Sequence, residues 1–166
     1  MASRPVKPGR LFVIAAPSGA GKTSLVKALL ASDPSLRLSI SHTTRKRRPT
    51  EAEGREYHFV SVPEFEQRVT RGEFLEHARV FDNHYGTARA FVEEQLRAGS
   101  NVILEIDWQG AQQVRRAMPQ CVSLFILPPS RAALADLERI VAGKGEDLRS
   151  SRPELAHLVK ELLAPA

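Results

Sequence analysis

Leu11-Phe12-Val13-Ile14-Ala15 and residues 101–106 form two apolar runs of strand length, and residues 122–127 form a third. Runs without alternation mark strands covered on both faces, as in a parallel sheet. Between them the spacing turns helical. Leu25, Ala28 and Leu29 place a helix over 24–31, closed by Ser32-Asp33-Pro34. Ser61-Val62-Pro63-Glu64 has the form of a capping box with proline just inside, opening a helix to about Arg71. Further helices are predicted from about 88 to 98, ending at Gly99, and over 109–118. Leu134, Leu137, Ile140 and Val141 mark another, stopped by Gly143-Lys144-Gly145. Ser151-Arg152-Pro153-Glu154 caps the last, whose Leu155, Leu158, Val159, Leu162 and Leu163 share one stripe. Buried strands alternating with helices predict an α/β fold with a parallel sheet flanked by helices. Residues 41–87 break this rhythm. A basic, turn-rich stretch leads to short strand-like pieces at 57–60, 74–81 and 85–87, the last two joined through Asp82-Asn83-His84. That region predicts a small mixed-sheet insert.

Composition narrows the function classes. The 166 residues are 42% hydrophobic and 26% charged, ordinary for one globular domain of this size. Lys+Arg number 24 against 19 Asp+Glu, a net charge of +5 that suits an anionic partner. Cys121 is the only cysteine, which excludes an internal disulfide and a multi-cysteine zinc site; at the start of a strand it suits packing. His42, His58, His77 and His84 show no metal-ligand spacing. Arg4, Lys7 and Arg10 ahead of the apolar residues 11–16 imitate a secretory signal, but the run is too short and a phosphate-loop pattern follows directly. No run spans a bilayer, so the expectation is a cytoplasmic protein without a membrane partner.

Ala16-Pro17-Ser18-Gly19-Ala20-Gly21-Lys22-Thr23 matches G-x-x-x-x-G-K-[ST] at every fixed position but the first, where alanine replaces glycine. A buried strand precedes it and a helix follows, the context in which such a loop turns backbone N–H groups onto phosphate oxygens. Lys22 would bridge the β- and γ-phosphates and Thr23 would offer its hydroxyl to Mg²⁺. A plain helix cap would not need strand, loop, Lys-Thr and helix together. Nucleotide binding is the expectation.

Ser41-His42-Thr43-Thr44 leads into Arg45-Lys46-Arg47-Arg48-Pro49, four cations in a row. A solvated loop, a nucleic-acid patch and a phosphomonoester site all fit a charge run. Few aromatics accompany it, which weakens the nucleic-acid reading. The phosphate loop favours the phosphomonoester, since a kinase must hold its acceptor as well as its donor.

The motifs Ser41-His42-Thr43-Thr44-Arg45-x-x-Arg48, Glu53-Gly54-x-x-Tyr57-x-Phe59-Val60, Phe74-Leu75-Glu76-His77-Ala78, Tyr85-Gly86-Thr87 and Ile106-Asp107-Trp108-Gln109-Gly110-Ala111 resemble guanylate kinases of the bacterial type, in order and at that family's spacing. The resemblance implies a P-loop nucleoside monophosphate kinase core over 1–40 and 88–166, with 41–87 as a GMP-binding insert. It implies Mg²⁺-dependent transfer of the ATP γ-phosphate to GMP, giving ADP and GDP. It assigns the GMP phosphate to Arg45, Arg48, Tyr57 and Tyr85, and the guanine to Ser41, Glu76 and Thr87. A carboxylate at Glu76 can accept from guanine N1–H and the 2-amino group together, whereas adenine offers neither donor. Asp107 takes the place of a Walker-B acid beside the acceptor phosphate and the metal, acting on Mg²⁺ through water. Lys22, Arg45, Arg48 and Asp107 form the implied catalytic set. Glu105 stands where relatives carry aspartate and points to the same side of its strand as Asp107.

The chain departs from the family near 131–133. There the family carries an arginine-rich lid and a last core strand, and here Arg131 leads almost directly to a helix-like Ala133-Leu134-Ala135-Asp136-Leu137. A lid-less chain raises an alternative, a catalytically weakened nucleotide-binding or guanylate-kinase-like protein-interaction module.

Overall fold

The computed structural model describes residues 7–16 and 22–126. Residues 17–21 of the phosphate-loop motif, the lid position near 131–133 and the two helices expected beyond it lie outside the described residues.

The apolar runs become the centre of a parallel sheet. Its strands are β1 (Leu11–Ala15), β2 (Leu36–Leu38), β7 (Asn101–Ile106) and β8 (Val122–Phe125), in the order β2-β7-β1-β8. Leu11 pairs with Val102 and Ala15 with Ile106, so β1 and β7 end together. Side chains alternate between two apolar layers. Leu11, Val13, Ala15, Val102, Leu104 and Ile106 face one way, against Val92 of α3 (Arg89–Arg97) and Ala111 and Val114 of α4 (Trp108–Ala117). Phe12, Ile14 and Ile103 face the other, against Leu25, Val26 and Leu29 of α1 (Lys22–Ser32). Both faces are therefore covered, as the uninterrupted apolar runs require. Two details differ from the sequence reading. Strand β2 was not expected, because a three-residue strand with Arg37 exposed gives no run to read. Strand β8 is not sealed on both faces: among the described residues it lies at the sheet edge, with Ser123 and Phe125 exposed.

The second sheet is mixed, in the order β4-β3-β6-β5. Strand β3 (His42–Thr43) runs parallel to β4 (His58–Phe59) and antiparallel to β6 (Asn83–Ala88), which pairs with β5 (Phe74–Val80). The basic segment thus supplies a short core strand, with Thr43 fully buried, where only irregular chain was expected. Val80 pairs with Asn83, so the hairpin turns at Phe81-Asp82, with Phe81 at φ 54° and its ring in solvent, rather than through Asp82-Asn83-His84. Helix α2 (Val62–Thr70) starts as expected, the Ser61 hydroxyl accepting from Glu64 N–H. Its buried Phe65 stacks on Phe74 at 4.6 Å between centroids. A Cβ on Gly86 would come within 3.0–3.1 Å of both rings, so glycine lets this pair lie flat against β6. Tyr85 and Thr87, one residue either side, point to the opposite face.

Candidate active site

Parallel strands present their carboxyl ends as a ligand-binding edge. At that edge Ala16 is buried at the end of β1, and Lys22 and Thr23 open α1. Lys22 Nζ donates to the Ile106 carbonyl at 3.1 Å. Burial pushes the ammonium pKa down, opposed by the carboxylates of Glu105 and Asp107. The hydroxyl of Thr23 donates to Glu105. Asp107 follows β7 and caps α4, accepting from Gly110 N–H at 2.9 Å and from Gln109 Nε2 at 3.1 Å. Glu105 and Asp107 both act on Lys22, but one grips Thr23 and the other starts a helix. Thr23, Glu105 and Asp107 gather hard oxygen donors beside a cation, the donor chemistry that suits Mg²⁺ rather than a softer metal.

A second cluster forms on the mixed sheet. The Glu51 carboxylate receives Arg45 in a fork, at 2.7 and 3.1 Å, and accepts Arg48 N–H at 2.8 Å. These contacts hold the Glu51 carboxyl at about 2, far below the usual carboxylate range. The Arg45 guanidinium lies 5.3 Å from the Tyr57 ring centroid, and Tyr57 meets Tyr85 edge-on at 5.9 Å. Burial raises the Tyr57 phenol, with Tyr85 and Glu105 adding to the shift, so this phenol feels the carboxylate at the parallel sheet's edge. The Arg48 side chain is exposed. One guanidinium held by a fork, one exposed and two phenol hydroxyls are donor chemistry that suits a compact dianion.

The third group is a buried carboxylate. Glu76 on β5 is 3% exposed, and its Oε1 accepts from Thr87 Oγ1 at 2.5 Å. Burial raises its carboxyl to about 7, with Asp107 adding to the rise and hydrogen bonds from Thr87 opposing it. Its Oε2 lies 2.3 Å from where a Cβ on Gly110 would stand, so only glycine admits this carboxylate to the first turn of α4. Ser41 is half-buried just before β3, its carbonyl accepting from His58 N–H at 2.9 Å. The sequence motifs contained Gly110 but did not reveal its reason. Glu51 was missed outright, since a glutamate six residues after Arg45 in a loop has no periodic signature.

The three groups sit in one frame: Lys22 and Thr23 at the parallel sheet, Arg45, Tyr57 and Tyr85 at the mixed sheet, and Glu76 and Thr87 under α4. A guanylate kinase family model matches residues 8–162. The chain belongs to the guanylate kinase family. It is 57% identical over 143 residues to the guanylate kinase of Thiobacillus denitrificans, covering 86% of this chain and 67% of that protein. It is likewise 57% identical over 148 residues to that of Methylococcus capsulatus, covering 89% of this chain and 72% of the relative. The crystal structure of guanylate kinase from Anaplasma phagocytophilum superposes with a TM-score of 0.75 at 32% identity, over 95% of this chain and 85% of that one. The family's activity is ATP-dependent phosphorylation of GMP, which makes its members nucleoside monophosphate kinases with ATP and GMP as substrates. Parallel core and mixed second sheet agree with the fold expected from the sequence. Among the described residues no helix is long and apolar enough to cross a membrane.

Proposed function

We propose that this chain transfers the γ-phosphoryl group of ATP to GMP, with residues 41–87 holding the acceptor and 1–40 with 88–166 forming the donor core. The observation that carries the reading is Glu76, a buried carboxylate paired with the Thr87 hydroxyl rather than with a cation. Such a group is costly in an apolar setting unless a ligand supplies donors. Guanine N1–H and the 2-amino group are two donors side by side, and Ser41 and Thr87 offer hydroxyls at the same base. The GMP phosphate would lie among Arg45, Arg48, Tyr57 and Tyr85, with Asp107 beside it.

The donor phosphates would rest on the backbone of 16–21, with the Lys22 ammonium between the β- and γ-groups. Thr23 would hold Mg²⁺ directly and Asp107 through water. When bound, the ion supplies neutralisation of phosphate charge. The protein's own contribution is positional: two anions are brought into line by cations and hydrogen-bond donors fixed beforehand. Lys22, already desolvated, exerts its charge at low screening. Glu51 keeps Arg45 in a single orientation, so the acceptor meets a formed fork. The reading assigns no nucleic-acid or membrane partner and a cytoplasmic setting.

The test is GDP formation from ATP and GMP by the purified chain, with AMP as competing acceptor. GDP formed with strong preference for GMP supports the reading. The residues near 131–133, where the family's lid arginines have no counterpart, favour a second reading as a binding module. GMP binding without GDP formation would select that one.

A further inference from the structure

Among the described residues strand β5, which carries Glu76, is an edge strand of the mixed sheet, with β6 on one side only. On its other edge the backbone of His77 is not left open. Gln113 of α4 takes both groups through its side-chain amide: its Oε1 accepts from His77 N–H at 3.1 Å, and its Nε2 donates to the His77 carbonyl at 2.7 Å. The amide thus does for β5 what a neighbouring strand would do. Gly110, Gln113 and Val114 lie at i, i+3 and i+4, on one side of α4. Gly110 receives Glu76, Gln113 grips the next residue, and Val114 is buried in the apolar cluster of Val13 and Leu104 of the parallel sheet, which also takes in Leu75 of β5. The same helix is capped by Asp107 just after β7, whose penultimate residue holds Thr23. One short rod therefore joins the base-reading strand to the phosphate-loop end of the core.

We propose that Gln113 is a positioning residue: by gripping the His77 backbone it sets the distance between the acceptor held on the mixed sheet and the donor phosphates held at Lys22. This inference rests on the function proposed above. All the proposed acceptor contacts except Asp107 belong to residues 41–87, so loosening the grip leaves the GMP pocket whole. What changes is its aim at the γ-phosphate. The expected signature is loss of turnover without loss of acceptor binding, which neither a binding residue nor a general stabiliser would give.

The experiment compares wild type with Gln113→Met, which keeps the side-chain length and removes both hydrogen bonds, and with Gln112→Met, the exposed neighbour, as control. Calorimetry gives the Kd for GMP, GDP formation at saturating substrates gives kcat, and thermal melting gives Tm. Misplacing reacting groups by about 1 Å costs on the order of 10²-fold, so kcat of Gln113→Met should fall ~10–100-fold while its Kd for GMP stays within about twofold. Gln112→Met should match wild type in both. Unchanged kcat, or a fall fully explained by weaker GMP binding, overturns the proposal. If Gln113→Met does not fold, Gln113→Glu is scored by the same criteria: it keeps an acceptor for His77 N–H but sets a carboxylate against the His77 carbonyl, so kcat should again fall alone. Wild type that binds GMP yet forms no GDP overturns the parent reading, and this inference with it.

Discussion

The two sheets of this molecule differ in what they bury beside their apolar residues. Every residue of β1 is buried and apolar, and β7 buries Val102, Ile103, Leu104 and Ile106 between two helical layers. The mixed sheet instead buries His42, Thr43, Glu76 and Thr87, four of the five buried polar residues among those described. Hydrocarbon burial fixes the first sheet without help. The second sets hydrogen-bonding groups among the buried Phe65, Phe74, Leu75 and Ala78, so polar chemistry is carried inside its core. Function and stability pull in different directions there, as they commonly do at binding sites.

The largest effect should come from breaking that polar chemistry while keeping its shape. Glu76→Gln replaces one acceptor oxygen with an NH₂ that faces guanine's own donors. Sites built on substrate hydrogen bonds reject analogues by ~10⁴ or more, so the kcat/KM preference for GMP over AMP should shrink sharply. Competition kinetics with the two monophosphates measures it, and an intact preference would move guanine reading to another residue.

A smaller effect is expected from Glu51→Ala. It leaves every proposed substrate contact in place but removes the fork that orients Arg45 and the acceptor for Arg48 N–H. KM for GMP should rise roughly tenfold, the scale of one charged hydrogen bond, with KM for ATP unchanged. Equal rises for both nucleotides would mean that Glu51 supports the whole fold instead.

A further effect is one of stability, and its sign follows from the raised Glu76 carboxyl. Between the ordinary value of 4.5 and about 7 the unfolded chain has lost this proton while the folded chain keeps it. The folded state is thus favoured at low pH, and the advantage is lost as pH rises through that window. At pH 8 the burden is on the order of 3 kcal/mol relative to pH 4. The Tm of Glu76→Gln, measured against wild type, should therefore improve between pH 5 and pH 8. His42, held neutral down to about 4 by burial and by His58, is present in both proteins and cancels in the difference. In the proposed function GMP meets the ionised carboxylate, so its affinity for wild type should rise with pH through the same range. A pH-independent Tm difference would contradict this account of Glu76.

The same contrast explains what could be read from the chain. Leu11–Ala15 and Asn101–Ile106 were legible because burial on both faces writes itself as an unbroken apolar run. The start of α2 was legible because Ser61 and Pro63 satisfy local rules. Strand β3 was not, since His42, packed on the Phe74 and His58 rings, and Thr43, bonded to Arg45 N–H, are two residues that leave no periodicity. The β5–β6 turn was misplaced because Phe81, rather than an asparagine or glycine, adopts the positive φ. Strand β8 read as sealed on both faces because its composition is apolar, whereas alternate residues face outward in the described structure. At the candidate site, individual residues such as Lys22, Arg45 and Glu76 stood out by motif. The contacts that hold them, from Glu51, Gly110 and Gln113, depend on neighbours brought together only by folding.

The central claim is that donor and acceptor are held by different sheets, and Lys22→Ala tests it most directly. Lys22 sits at the edge of the parallel sheet, bonded to the Ile106 carbonyl, and belongs to neither the Arg45 cluster nor the Glu76 pair. Calorimetric titration of the variant with each nucleotide should show ATP binding abolished and GMP binding nearly unchanged. Equal loss for both nucleotides would contradict the division of labour between the two sheets.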